Sequence, residues 1–167
     1  LGLWLADGYW RSSSIGLTSV NTILIRRFSD FLLRVAPSHP LKERIYPVKV
    51  GEKRKQTATQ VYLNNRPLTR LFMATKTGVL NIPSRFILAY LAGRIDGDGH
   101  IDTKHRSGIR IAYSSMTDAL RDQELFGRTN VNLYQYKAAR TFVLYLKKDY
   151  RDQIMKVIKK YSVKLAP

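Results

Sequence analysis

The chain contains itself twice, and a duplicated chain is constrained to fold as two copies of one unit. Gly2-Leu-Trp-Leu-Ala-Asp-Gly8 resembles Gly93-Arg-Ile-Asp-Gly-Asp-Gly99, with Asp7 matching Asp98 at an offset of 91. Ile15–Ser19 matches Ile109–Tyr113 at an offset of 94, the three extra residues falling in the turn Lys104–Gly108. Helical patterns follow at Thr22–Val35 and Thr117–Phe126. Val61-Tyr-Leu63 then matches Leu144-Tyr-Leu146 at an offset of 83, so the first half has gained eleven residues within Pro37–Gln60. That insert carries Lys49, Lys53, Arg54 and Lys55 around Gly51 and reads as a long basic hairpin. Each half ends in a helix, near Leu68–Thr75 and Asp149–Tyr161, followed by Leu80–Pro83 and Val163–Ala166 at the same offset of 83. The expectation is an α+β fold of tandem, pseudo-twofold α-β-β-α-β-β-α repeats. Residues 1–75 form the first repeat, 76–84 a linker with Gly78 and Pro83, and 85–167 the second. Alternation along Ile109, Ile111 and Tyr113 against Arg110 and Ala112 predicts antiparallel sheets with one packed and one free face.

Charge narrows the partners. The 167 residues carry 29 Lys+Arg against 12 Asp+Glu, a formal charge of +17, which repels itself and attracts polyanions. Nucleic acid is the leading partner and an anionic membrane surface the weaker one. With no cysteine there is no disulfide scaffold, thiolate zinc site or Cys nucleophile. The longest apolar run, Phe86–Gly93, is about half the length that crosses a bilayer. The sequence opens without Met inside an apolar stretch, so further residues are expected to precede it.

The helix Phe86–Asp98 is apolar on more than one face and should be buried. Gly93 and Gly97 lie four apart, as do Gly2 and Ala6, and small residues on one face let two helices approach closely. Gly8 and Gly99 are placed as C-terminal caps. Asp7 and Asp98 then fall in the last turns, at the negative end of each helix dipole, where a carboxylate costs about 0.3–1 kcal/mol. A lone aspartate there ordinarily caps a turn or pairs with a basic neighbour. Two repeat-related copies on paired helices are instead what Mg²⁺ would neutralise.

Leu91-Ala-Gly-Arg-Ile-Asp-Gly-Asp-Gly99 resembles the LAGLIDADG signature at seven of nine positions, departing at Arg94 and Gly97. Leu1–Gly8 is a more degenerate copy, with Leu5 where the first Asp usually stands. The resemblance covers essentially the whole chain. It implies a single-chain, two-repeat LAGLIDADG homing endonuclease, most like the archaeal intron-encoded members. The implied fold sets paired LAGLIDADG helices at the repeat interface beneath a DNA-binding saddle of two sheets. By the same resemblance Asp7 and Asp98 bind the catalytic divalent metal, with Ala6 and Gly97 beside them as ligands. Mg²⁺ is the implied cofactor, with Mn²⁺ or Ca²⁺ able to occupy the site. Asp96 caps or orients. Lys164 and its counterpart Asn81 stand near the scissile phosphates, and Arg27 and Arg121, matched at an offset of 94, approach the active site.

The implied reaction is metal-assisted hydrolysis of one phosphodiester in each strand of duplex DNA, with no protein nucleophile. His39, His100 and His105 have no ligand-like spacing. Candidate DNA contacts are Trp10, Arg11, Ser13, Thr18, Lys49, Lys53, Arg54, Lys55, Lys104, Arg106, Arg110, Tyr136, Lys137 and Arg140. Many of these would reach only phosphates. The expected partner is a long, quasi-twofold duplex bound by a monomer inside the cell, in the cytoplasm or nucleoid, with host intron RNA as a further partner and no membrane. The alternatives are a non-cleaving RNA maturase or DNA-binding regulator on the same fold, and an unrelated basic RNA-binding module.

Overall fold

Local sequence sets the element boundaries. The Asn21 side chain accepts hydrogen bonds from the N–H groups of Ile23 and Leu24 and starts α2 (Thr22–Val35). Asn65 accepts from Leu68 N–H and starts α3 (Arg66–Thr77), two residues before the predicted onset. Ser115 accepts from Asp118 N–H and starts α5 (Met116–Phe126). The other helices are α1 (Gly2–Asp7), α4 (Ser84–Asp98) and α6 (Lys148–Ile158), the last ending three residues before the predicted Tyr161. A 3-10 turn, Val79–Asn81, occupies the predicted linker. The strands are β1 (Gly8–Trp10), β2 (Ser14–Ser19), β3 (Lys42–Val50), β4 (Arg54–Asn64), β5 (Gly99–Ile101), β6 (Ile109–Tyr113), β7 (Val131–Tyr136) and β8 (Thr141–Leu146). The order is α-β-β-α-β-β-α twice, as the repeat arithmetic predicts. This computed structural model describes residues 1–50, 54–101, 108–127, 131–136, 141–146 and 148–165.

Both sheets are antiparallel and have the same strand order, β1-β2-β4-β3 and β5-β6-β8-β7. The register repeats as well. Leu17 pairs with Val61 and Ile111 with Leu144; Gly8 pairs with Leu17 and Gly99 with Ile111. Val61 also pairs with Glu43, and Leu144 with Leu133, so β3 maps onto β7 at an offset of 90. Of the eleven extra residues, four therefore precede β3 and seven lengthen the β3–β4 hairpin, whose ladder runs out to Lys49–Lys55 and Val50–Arg54.

The residues group into two compact units, Asp7–Thr77 and Leu1–Ala6 with Gly78–Pro167. In the first, Ile15, Leu17, Val61 and Leu63 face Leu24, Phe28 and Leu32 of α2, all buried. These α2 positions recur at helical spacing, one apolar stripe facing the sheet. In the second, α4, α5 and α6 cover Ile109, Ile111, Leu144 and Leu146. The first six residues belong with the second repeat because α1 packs on α4 backbone to backbone. A Cβ on Gly2 would strike the carbonyl of Tyr90, and one on Gly93 would lie 2.5 Å from the nitrogen of Leu3. Gly99 does cap α4, its N–H donating to Ile95 O, but at φ −80° rather than in the left-handed form. Among the described residues no helix is long and apolar enough to cross a membrane.

Candidate active site and nucleic-acid interface

Asp98 ends α4 with its side chain about one-third exposed. One turn earlier on the same face, Arg94 is 3% exposed, a charged residue in the middle of a core. Its Nη1 lies 3.3 Å from Asp98 Oδ2, and its Nε donates to Asp122 Oδ2 at 2.7 Å. Its guanidinium stacks over the Tyr113 ring at 4.8 Å. Asp122, on α5, is fully buried and also accepts hydrogen bonds from the hydroxyls of Tyr90 (2.5 Å) and Tyr113 (2.9 Å). Burial, then the Asp122 charge, raises both phenols far above their ordinary range, so they serve as neutral donors. Burial works against the Arg94 cation, but Asp122 and the other neighbours outweigh it and keep the guanidinium charged. At Asp98 burial wins: it pushes the carboxyl above the usual carboxylate range, against the pull of Arg94 and Lys164.

Lys164 reaches this helix end from the far terminus. Its Nζ donates to Gly97 O at 3.0 Å and Gly99 O at 2.7 Å, a cation at the negative end of the α4 dipole. Asp96 puts it there. That carboxylate is 3% exposed and accepts from the Ser162 hydroxyl and from the N–H groups of Val163 and Lys164, clamping the turn after α6. A pocket of about 320 Å³ opens beside Asp98, lined by Leu5, Ala6, Arg94, Ala112, Tyr113, Ser114, Asp118 and Thr141. Arg121, expected near the site, is committed to Asp118 at 2.7 Å with Asp122 3.7 Å away. Asn81 is exposed in the 3-10 turn.

Among the described residues no group of three or more His, Cys, Asp or Glu is arranged to hold a metal. The Asp98 end still suits a hard cation in kind: a carboxylate whose ionisation burial opposes, beside backbone carbonyl oxygens at a helix C-terminus. Gly97 O already accepts from Lys164 and keeps one further lone pair.

In the other unit, Asp7 is half-buried at the end of α1 and Arg27 is exposed on α2. The free face of the first sheet is polar and aromatic. Thr18 accepts from Gln60 Nε2 at 3.1 Å and from the Tyr46 hydroxyl at 3.5 Å. Arg11 lies over Tyr9 at 5.8 Å, Arg44 over Tyr62 at 5.1 Å, and the two tyrosines meet edge to face. Ser13 sits in the β1–β2 turn, its carbonyl accepting from Asn65 N–H. Trp10 differs from its fellow candidates. It pairs with Ile15, so it shares the helix-covered face, and Lys76 of α3 lies 4.9 Å over its ring. On the second sheet Arg110 and His100 pair on the free face, with Arg110 over Tyr145 at 5.9 Å. The side chains of Lys49, Arg54, Lys55 and Tyr136, and residues Lys53, Lys104, His105, Arg106, Lys137 and Arg140, lie outside the described residues. The sequence reading missed Arg44, whose place two residues before Tyr46 on one strand face was the available signal. It also missed Asp122, for which no local signal exists; Asp96, expected to cap or orient, does so on the turn after α6.

No family model and no curated protein matches the chain. Solved structures do. Mesophilic variants of the homing endonuclease I-DmoI superpose with a TM-score of 0.70 at 16% identity, over 99% of this chain and 94% of that one. I-DmoI in complex with DNA and Mn gives 0.69 at 16% identity, over 94% and 92%. The homing endonuclease I-WcaI bound to its DNA recognition sequence gives 0.64 at 14% identity, over 97% and 79%. Other I-DmoI complexes with DNA contain Ca or Mg. At such identities the likeness establishes the fold, which is the one the signature residues implied.

Proposed function

We propose that the protein is a site-specific double-strand DNA endonuclease of the LAGLIDADG intron-homing type. In this reading it acts inside the cell as a monomer on a long, quasi-twofold duplex, and each repeat contributes one carboxylate. The observation that carries the reading is Asp98. It is a carboxylate that burial disfavours, placed at the negative end of a helix beside a lysine that a buried aspartate clamps into position. A divalent cation relieves that arrangement, which has no evident use as packing alone. The DNA and metals of the structurally similar endonucleases support the same reading.

Asp7 and Asp98 would hold Mg²⁺, or Mn²⁺ or Ca²⁺ in its place, with the carbonyls of Ala6 and Gly97 alongside. When bound, the ion polarises the phosphate and lowers the pKa of attacking water. The chain's own residues do the rest. Asp96 holds the turn from which the Lys164 ammonium stabilises charge developing at one scissile phosphate. Asn81 is its uncharged counterpart and Arg27 the exposed counterpart of Arg121. Arg11, Thr18, Arg44 and Arg110 line the free sheet faces, where cations follow the phosphate backbone and polar groups meet base edges in the major groove.

The test is Asp7→Asn and Asp98→Asn, each incubated with Mg²⁺ and a plasmid library spanning candidate insertion sites. Folding and duplex binding persist in both, and neither strand is cut. Either variant cutting at the parental rate removes its aspartate from the site. One observation favours a second reading, a non-cleaving maturase or DNA-binding regulator: Arg94 already neutralises Asp98. A parent that cuts no duplex but assists splicing of a host RNA establishes that reading instead.

A further inference from the structure

We infer that Arg94 is a positioning residue that holds the Asp98 carboxylate against a divalent cation, so that metal binding at Asp98 requires exchange of an internal guanidinium for the ion. The inference rests on the proposed role of Asp98 as a metal ligand. Arg94 stands where the signature otherwise has leucine, one turn before Asp98. Two contacts fix it from behind, Nε on Asp122 at 2.7 Å and the guanidinium plane over Tyr113 at 4.8 Å, and its side chain is only 3% exposed. Asp122 in turn is held by the hydroxyls of Tyr90 and Tyr113. The guanidinium therefore cannot swing away.

Toward Asp98 the geometry is looser. Nη1 reaches Oδ2 at 3.3 Å, an ion pair without hydrogen-bond geometry, and this buried nitrogen makes no hydrogen bond. The fixed partner is the cation and the adjustable one is the partly exposed carboxylate. A divalent ion arriving at Asp98 meets a permanent positive charge already 3.3 Å from the carboxylate oxygen, in surroundings that screen poorly. The first repeat is built differently. Leu3 stands one turn before Asp7, and Phe28 occupies the position equivalent to Asp122, so the first repeat carries neither charge. The two carboxylates thus have unequal intrinsic affinity for metal, the second being the guarded one.

Arg94→Leu alone would strand the Asp122 charge, so the test uses Arg94→Leu with Asp122→Asn. This pair removes one charge of each sign; the Asn oxygen accepts from one tyrosine hydroxyl and its amide NH2 donates to the hydroxyl oxygen of the other. Mn²⁺ binding to the protein without DNA is followed by electron paramagnetic resonance, with Asp98→Asn defining the Asp98-dependent site. The double variant binds Mn²⁺ at that site about tenfold more tightly than the parent, a factor that loss of structure would move the other way. Arg94→Lys, which keeps the charge, stays within about twofold. Unchanged or weaker affinity in a folded double variant overturns the inference, as does the absence of any Asp98-dependent site in both proteins. Cleavage is scored separately on parent protein and duplex. Tightened Mn²⁺ binding with no cleavage keeps the guard and removes the nuclease, whereas cleavage with unchanged Mn²⁺ affinity does the reverse.

Discussion

Asp122→Ala tests the buried network directly. The substitution leaves the Arg94 guanidinium, 3% exposed, with Asp98 at 3.3 Å as its remaining counter-charge. It also strands the hydroxyls of Tyr90 and Tyr113, which donate to Asp122 at 2.5 and 2.9 Å. Breaking a buried ion pair by removing one partner costs about 3–5 kcal/mol. Each stranded hydroxyl adds about 1–3 kcal/mol unless water reaches it, and that term overlaps the first. Asp98 offsets part of the loss, so the expected destabilisation is about 4 kcal/mol, a large share of the roughly 5–15 kcal/mol that holds a domain together. The two tryptophans separate the units: Trp4 lies in the unit that carries the network and Trp10 in the other. Urea unfolding followed by Trp4 fluorescence in a Trp10→Phe background should show the midpoint falling by about 2 M, for a slope of about 2 kcal/mol per M. Arg94→Leu with Asp122→Asn should recover most of the loss, because removing both charges together leaves neither stranded. A loss below about 1 kcal/mol for Asp122→Ala, or no recovery in the double variant, refutes the ion-pair reasoning.

Three further outcomes follow from the same geometry. Gly93→Ala places a Cβ 2.5 Å from Leu3 N, so α1 should separate from α4 and thermal unfolding should start several degrees lower, by calorimetry. Lys164→Ala should slow cleavage far more than it weakens duplex binding in gel-shift titrations, while Asn81→Ala does less; equal small effects return Lys164 to a helix-capping role alone. Asp98→Asn without metal should hold or gain stability at pH 7, by up to about 1 kcal/mol. Because burial raises the folded carboxyl pKa, the parent loses stability as pH rises from the ordinary aspartate value of 3.8 through the raised one. Denaturation curves of parent and variant should therefore converge in acid and separate toward neutrality.

Repetition and periodicity belong to the sequence alone, and they determined most of the architecture. The offsets of 91, 94 and 83 reappear in the strand pairs Gly8–Leu17, Gly99–Ile111, Leu17–Val61 and Ile111–Leu144, because duplicated side chains must bury duplicated faces. Asp98 was legible because a carboxylate at a helix C-terminus violates a local rule. The sheet face of Trp10 was not legible, since an aromatic among basic residues suits either face. Only its register opposite Ile15 sends it to the helix side.

What the tertiary structure alone decided is how the charges around Asp98 are arranged. Arg94 finds Asp122 on α5, 28 residues away, and Asp96 finds Ser162 and Lys164 at separations of 66 and 68. In the sequence these are a departure from a signature and a secondary aspartate. A buried charge persists only with a partner, and folding chooses that partner from whatever segments the packed sheet and helices bring together.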